Sequence, residues 1–475
     1  MRVVHVASEV APFAQSGGLA DVLAGLPAAL AETPGLDVAI VVPLYRGVAA
    51  KLAAAGIALD DGTPIAIELG WHRFEARLRR ARVGRVTYAF LDCAPLYDRA
   101  GTLYGPGGAG EFTDNHVRFA ALGKAALEFG ALAVGGPIDV LHVHDWQGAP
   151  AAIYARIANA PCKVIATIHN LAFRGIFPKH VMTELGIPWA LFTLHQLEFY
   201  DQVSFLKGAL ALADIATTVS PTYAREILTP EMGEALDAFL RWDVRRLVGI
   251  VNGIDTRAWD PASDAALPAR FSGDQLAGKA KCRAALAHEL ELPLRDQDVL
   301  IGVIARMTGQ KGLDLIADVV PELERLGARM VVLGSGEPAL EDRFRSLATE
   351  YRERLAVRIG FELALSRRIY AASDFFAMPS RFEPCGLGQL YAMRYGAIPI
   401  VHAVGGLRDT VRDPDTGICF ESATATALLA ACERAVQLAR SPARLLATRR
   451  AAMARDSSWT APAHDYVALY RGLVE

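Results

Sequence analysis

At 475 residues the chain is too long for one ordinary hydrophobic core and has the length of about three domains, or of two large α/β ones. With 52% hydrophobic and 21% charged residues it is globular rather than disordered or fibrous. A net charge of −3, from 49 basic against 52 acidic residues, gives no bulk electrostatic case for binding nucleic acid or an anionic membrane.

Residues 2–8 read as a buried strand running straight into a glycine loop, without the apolar core and small-residue cleavage site of a signal peptide. A helical pattern near 18–32 and a strand at 37–43 follow. Residues 71–92 differ: basic residues alternate there ahead of Tyr88 and Phe90, as in an antiparallel excursion. Mean hydropathy is +0.23. The best candidate for a membrane span, 119–136, is interrupted by Lys124 and Glu128, so a spanning helix of about 20 apolar residues is excluded. Residues 140–144, 163–169 and 215–220 read as further strands, several ending in a polar residue or a turn, as the ligand-facing ends of parallel strands do. A second series begins near Val248, with strands at 300–305, 330–333, 357–359, 374–378 and 398–401 and helices at 313–326 and 389–395. Residues 255–274, with Pro261 and Pro268, read as a connection. The alternation predicts two doubly wound, Rossmann-like α/β domains, 1–247 and 248–458, with a helix at 459–475 that can pack back on the first. Six cysteines (93, 162, 282, 385, 419 and 432) are never closer than 13 positions; with no CxxC pair they suit a reducing cytoplasm.

Five constellations carry chemistry. In Gln15-Ser16-Gly17-Gly18-Leu19-Ala20-Asp21, between first strand and first helix, Gly17 and Gly18 let the backbone approach a ligand, and the helix offers unpaired N–H groups to a phosphate. The same residues also suit a tight turn with no ligand, and Ser16 and Leu19 break the dinucleotide GxGxxG spacing. His142 and His144 form a metal pair only if both point one way, and no third or fourth ligand stands nearby in sequence. Asp145 with Trp146 fits an active-site or sugar-stacking edge, and equally a helix N-cap at Asp145. His169, with Asn170 and the loop to Gly175, is either catalytic or structural. Arg306 and Lys311, at a strand end opening a helix, make a cationic cradle for a diphosphate leaving group, or a solvated basic turn. Glu383, in Arg381-Phe382-Glu383-Pro384-Cys385-Gly386-Leu387-Gly388, suits a substrate hydroxyl contact, stabilisation of a cation, or a helix cap. Asp413-Pro414-Asp415 spells DxD, a pattern that holds Mg²⁺ elsewhere, but beside Gly417 it reads as turn chemistry.

Together these segments resemble bacterial glycogen synthases and plant starch synthases, retaining glucosyltransferases of the GT-B fold, over essentially the whole chain. The glycine loop, His142-Val143-His144-Asp145-Trp146, Thr167-Ile168-His169-Asn170, Arg306 to Lys311-Gly312-Leu313, the Glu383 motif and Gly405-Gly406-Leu407 with Asp409-Thr410-Val411 follow in family order and spacing. The resemblance implies two Rossmann-like domains facing across a cleft and transfer of glucose from ADP-glucose to the non-reducing end of an α-1,4-glucan, glycogen or a maltooligosaccharide, in glycogen biosynthesis. It implies no cofactor, metal, nucleic acid or membrane. Arg306 and Lys311 would hold the donor diphosphate, assisted by the backbone of Gly17 and Gly18. His169 would contact the glucose, Asp145 line the acceptor side and Asp21 support the loop. Glu383 would lie near the donor sugar with Cys385, Gly386 and Leu387 in the same donor-side motif, and Phe361 against the adenine. Donor cations in the second half and the glycine loop, Asp145 and His169 in the first imply a cleft that closes. With no nucleophile evident, retention is by front-face return or by a covalent intermediate.

Three positions depart from the family: Gln15 replaces a lysine of its glycine loop, and Gly388 and Val404 each replace a threonine. Tyr391 stands where wider GT-B families carry a second glutamate, a difference shared by bacterial glycogen synthases. These departures keep open a retaining glucosyltransferase using UDP-glucose or another acceptor, and a weakly active glucan-binding paralogue.

Overall fold

Val3, Val4 and Val6 are fully buried because their strand, β1 (Arg2–Val6), lies between two parallel neighbours, with no face left for polar alternation. The computed structural model describes residues 1–107 and 110–475, in two units: Met1–Gly253 with Trp459–Glu475, and Ile254–Ser458. In the first unit the further strands are β2 (Asp37–Pro43), β3 (Thr63–Leu69), β4 (His72–Val83), β5 (Val86–Asp92), β6 (Val140–His144), β7 (Lys163–Ile168), β8 (Ile176–Pro178), β9 (Glu198–Phe199), β10 (Gln202–Ser204), β11 (Ile215–Thr218) and β12 (Leu247–Gly249). Eight of them join β1 in one nine-stranded sheet in the order β12-β11-β7-β6-β1-β2-β5-β4-β3, while β8, β10 and β9 make a small antiparallel sheet. The basic excursion is β4, antiparallel to both neighbours; β5 returns parallel to β2. Because β12 pairs in parallel with β11, from Leu247 against Ala216 to Gly249 against Thr218, the first unit continues to Gly253 rather than stopping at 247.

The second unit holds β13 (Val299–Ile304), β14 (Ala328–Gly334), β15 (Leu355–Ile359), β16 (Phe375–Met378), β17 (Ile398–His402) and β18 (Ile418–Phe420), all parallel, in the order β15-β14-β13-β16-β17-β18. Residues 255–274 carry no regular helix or strand. The helix expected over 313–326 is broken into Leu313–Val319 and Leu323–Leu326 by a single turn at Val320–Glu322, because Pro321 has no N–H to continue the ladder.

Strand order reverses between β1 and β6 in the first sheet and between β13 and β16 in the second. Such a reversal opens a crevice at the carboxyl ends of the strands, where ligands of doubly wound folds bind. The last helix, Thr460–Val474, packs on the first unit: Tyr466 and Tyr470 are buried, and Trp459 fills the space over Gly25 of helix Gly18–Leu30. Among the described residues no helix is long and apolar enough to cross a membrane.

Candidate active site

In the first unit the candidate residues leave β1, β6 and β7 around the reversal. After β1 the loop is gathered by Glu9, a residue the sequence reading passed over. Its carboxylate accepts from the Ser16 amide (2.6 Å), the Ser16 hydroxyl (2.5 Å) and the Gly17 amide (3.1 Å), and Tyr104 donates to it at 2.5 Å. The Gly17 amide expected to help hold a phosphate is therefore engaged by Glu9. Gly17 nevertheless has extended backbone, and a Cβ there would meet nothing within 4 Å, so neither strain nor packing demands glycine. Open backbone at that point is what the close approach of a ligand needs. Gln15 donates to Asp21 at 3.3 Å; burial first, then the charge of Glu9, pushes the Asp21 carboxyl up to about 6.

Asp145 is the first residue of helix Asp145–Ile157, with His144 at the N-cap position and no side-chain cap bond, so Asp145 is not the N-cap. Its φ of 52° is left-handed, a strained value for a residue with a Cβ. That turn aims the carboxylate at the exit of β7, where Oδ1 accepts from the amides of His169 (2.7 Å) and Asn170 (3.4 Å). Burial pushes Asp145 up to about 7 despite these two bonds. Trp146 is no stacking platform: it is buried edge-on against Phe119, ring centres 5.0 Å apart. The imidazole of His169 is reached from behind by His144 at 2.9 Å, and burial lowers its pKa to about 3. His142 is fully engaged, with Nδ1 on the Tyr470 hydroxyl (2.7 Å) and Nε2 on the Thr167 hydroxyl (2.6 Å).

In the second unit Lys311 follows β13 and Glu383 follows β16, on the two sides of the reversal, and their side chains meet at 2.6 Å. Ser380 also donates to Glu383 (2.9 Å), and the backbone carbonyl of Glu383 accepts the Gly406 amide (3.0 Å). Lys311 is thus a partner of the carboxylate as well as a candidate phosphate ligand. Arg306 is exposed, with no ion pair or side-chain hydrogen bond among the described residues, and is the cation left open for an anion. Arg381 fixes the motif from outside by a bidentate pair with Asp314 (2.6 and 2.8 Å). Cys385 is buried, and Gln389 ties the carbonyls of Cys385 and Gly386 to Thr410; Leu387 caps helix Gly388–Arg394. Phe361, beyond β15, is 71% exposed, a ring open to stacking. Gly388 is packed tightly: a Cβ would lie 3.2 Å from Met378 Sδ and 3.3 Å from the Phe376 ring, so a larger side chain there has to displace them. Asp413 is spent on Arg434 (2.6 Å) and the Cys419 amide (2.9 Å), as a turn residue would be.

Two other basic side chains of the first unit, Arg174 and Lys207, are committed to partners of their own. Arg174 pairs with Glu234 at 2.5 Å, and Lys207 donates into the carbonyls of Leu194 and Glu198. Lys51, by contrast, reaches the loop and donates to the Phe13 carbonyl at 2.9 Å. Tyr104 and Lys51 were missed because their partners, Glu9 and the Phe13 carbonyl, are distant in sequence, whereas Glu9, an acid at a strand exit, and Ser380, three residues before Glu383, each carried a local signal.

Comparison with known proteins follows the division into two units. Residues 2–242 match the family model described as starch synthase catalytic domain, and residues 288–451 that of glycosyl transferases group 1. The chain is 45% identical over 488 residues to a glycogen synthase of Anaeromyxobacter dehalogenans (strain 2CP-C), covering 100% of both. It is 44% identical over 483 residues to that of Myxococcus xanthus (strain DK1622), again covering 100% of both. Among solved structures it is similar to the catalytic domain of starch synthase IV from Arabidopsis thaliana bound to ADP and acarbose, with a TM-score of 0.89, 33% identity and 99% of each chain covered. Sucrose-phosphate synthase from Thermosynechococcus elongatus, at 19% identity and a TM-score of 0.60 over 99% of this chain and 98% of that one, shares the fold.

Proposed function

The chain belongs to the glycogen synthase and starch synthase family of hexosyltransferases, and we propose that it transfers glucose from ADP-glucose to the non-reducing end of an α-1,4-glucan with retention. The observation that carries this reading is the pairing of Lys311 with Glu383 across the reversal of the second sheet, beside an exposed Arg306. In the reaction the bond from glucose C1 to the diphosphate oxygen breaks and a bond from C1 to the acceptor hydroxyl oxygen forms. Negative charge grows on the leaving diphosphate, and the sugar becomes oxocarbenium-like. Arg306 and Lys311 are suited to the first charge, so the step needs no resident metal. When a diphosphate draws Lys311 towards itself, Glu383 is released to face the sugar. The leaving phosphate is the base at hand for the acceptor's proton. His169 serves as the contact to glucose, Asp145 holds its backbone, and the open Gly17–Gly18 backbone takes the donor side. Phe361 offers its ring to the adenine, with Cys385, Gly386 and Leu387 shaping the donor pocket. The expected setting is the cytoplasm.

The test follows nucleotide release with ADP-glucose and UDP-glucose in parallel, with and without glycogen. Release from ADP-glucose that depends on glycogen is the expected result. Preference for UDP-glucose would replace the donor assignment, and release indifferent to glycogen would replace the acceptor.

A further inference from the structure

Three imidazoles stand in single file behind the candidate site. His5 Nδ1 lies 2.9 Å from His144 Nε2, and His144 Nδ1 lies 2.9 Å from His169 Nε2. His5 and His144 are fully buried. At the inner end His5 Nε2 is buried with no hydrogen-bond partner; at the outer end His169 Nδ1 has no partner among the described residues. His5, His142 and His144 also bring their ligand atoms within 4.8 Å of one another, supplying the third histidine that the sequence did not reveal. A shared cation there would need lone pairs already engaged, since His142 is bonded at both nitrogens and His5 and His144 bond each other.

A neutral imidazole has one N–H and one lone pair, so the hydrogen bond at one nitrogen dictates the other. The file therefore has two self-consistent states, with every N–H directed outward to His169 or every N–H directed inward to His5. The inward state leaves an N–H at His5 Nε2 with no acceptor, and buried N–H groups without partners are the rarest unsatisfied groups. The outward state leaves only an unused lone pair there. We propose that His144 and His5 are positioning residues that fix His169 in the tautomer presenting Nδ1–H, a hydrogen-bond donor, to an oxygen of the transferred sugar.

The assignment rests on the reading of His169 as the contact to glucose. Its chemical value is a donor that carries no charge. A second proton on His169 would set Nε2–H against His144 Nδ1–H, and burial already holds His5 and His169 down at about 3. The file thus keeps an imidazolium away from a carbon that itself becomes positive.

The full chain carrying ¹⁵N-histidine, with His169 assigned through His169→Gln, should show His169 protonated at Nδ1 and bare at Nε2. The opposite tautomer overturns the proposal. His144→Leu should lower kcat by about tenfold or more with little change in donor KM, the cost of an unfixed tautomer, and should leave His169 as a mixture. His144→Asn, whose amide nitrogen can take the place of Nδ1, should restore most of kcat and the single tautomer. Equal losses in two variants that melt like the native chain overturn the positioning role. If the leucine variant fails to fold, the native spectrum and the asparagine variant still decide. Near-normal turnover of His169→Gln with Nδ1–H intact removes the glucose contact itself, a failure of the earlier reading distinct from a wrong tautomer.

Discussion

Gln15 offers Asp21 a neutral amide where a lysine would bring a full charge to the same loop. A contact to a charged group is worth about 1.5–3 kcal/mol, roughly twice a neutral one. Gln15→Lys should therefore raise kcat/KM for ADP-glucose by about tenfold or more. A flat or lower value would show a loop rebuilt around glutamine, with Lys51 on the Phe13 carbonyl as the cation it already uses. Glu383→Ala and His169→Ala should each lower turnover by about two orders of magnitude or more while circular dichroism stays native, the scale of losing a positioned catalytic group. Near-normal turnover in either variant takes that residue out of the chemistry. At this scale the sequence singled out the strand-end candidates, because polar residues beside glycines at strand ends announce themselves. It could not show Lys311 on Glu383, 72 positions apart, or His5 on His144, 139 apart, since those pairings exist only once the sheets are assembled.

Among elements, the parallel strands were the most legible, because burial on both faces turns them into unbroken β-branched runs bounded by turns. Strand β18 was missed: three residues straight after the Asp413–Gly417 turn make too short a run to stand out. The single helix read over 313–326 failed at Pro321, whose missing N–H outweighed a continuous apolar pattern. The expected N-cap at Asp145 failed because the helix begins one residue earlier than its acid suggests, and the left-handed turn spends that acid on the next strand. The packing of helix Thr460–Val474 on the first unit depends on one absent side chain. A Cβ on Gly25 would come within 1.9 Å of Trp459 Nε1, and an indole ring has little freedom to yield. Gly25→Val should cost about 1–3 kcal/mol, the range for overpacking a filled site, read as a lower urea midpoint for tryptophan fluorescence. An unchanged midpoint would mean that Trp459 does not hold that position in solution.

The whole molecule is tuned by its buried titratable groups. Below pH 6.5 the unfolded chain takes up protons on His5, His142, His144 and His169, while burial keeps all four neutral in the fold. The folded state then binds fewer protons, so these groups make stability fall as pH falls. Asp145 and Asp21 act in the opposite sense: raised to about 7 and about 6 from 3.8, they hold protons that the unfolded chain releases, and they favour the fold on acidification. Four imidazoles against two carboxyls leave a net loss, so the urea midpoint of the first unit should drop between pH 6.5 and pH 4.5 or so. A midpoint that holds or rises over that window would contradict the buried neutral histidines. Turnover should also survive EDTA, with Arg306 and Lys311 as the positive charge; restoration by Mg²⁺ of an activity lost to EDTA would reverse that assignment. The route of the chain has its own consequence. The second unit is one continuous segment, whereas the first is interrupted by it and needs Trp459–Glu475 to cover Gly25 and to give His142 its Tyr470 partner. In synthesis the unit begun first is therefore completed last: the segment 254–458 has been made in full before the final helix of the opening unit exists. A synthesis that stalls between these points would release a chain with its second unit finished and a histidine-rich core left ajar, a ready mark for proteolytic disposal.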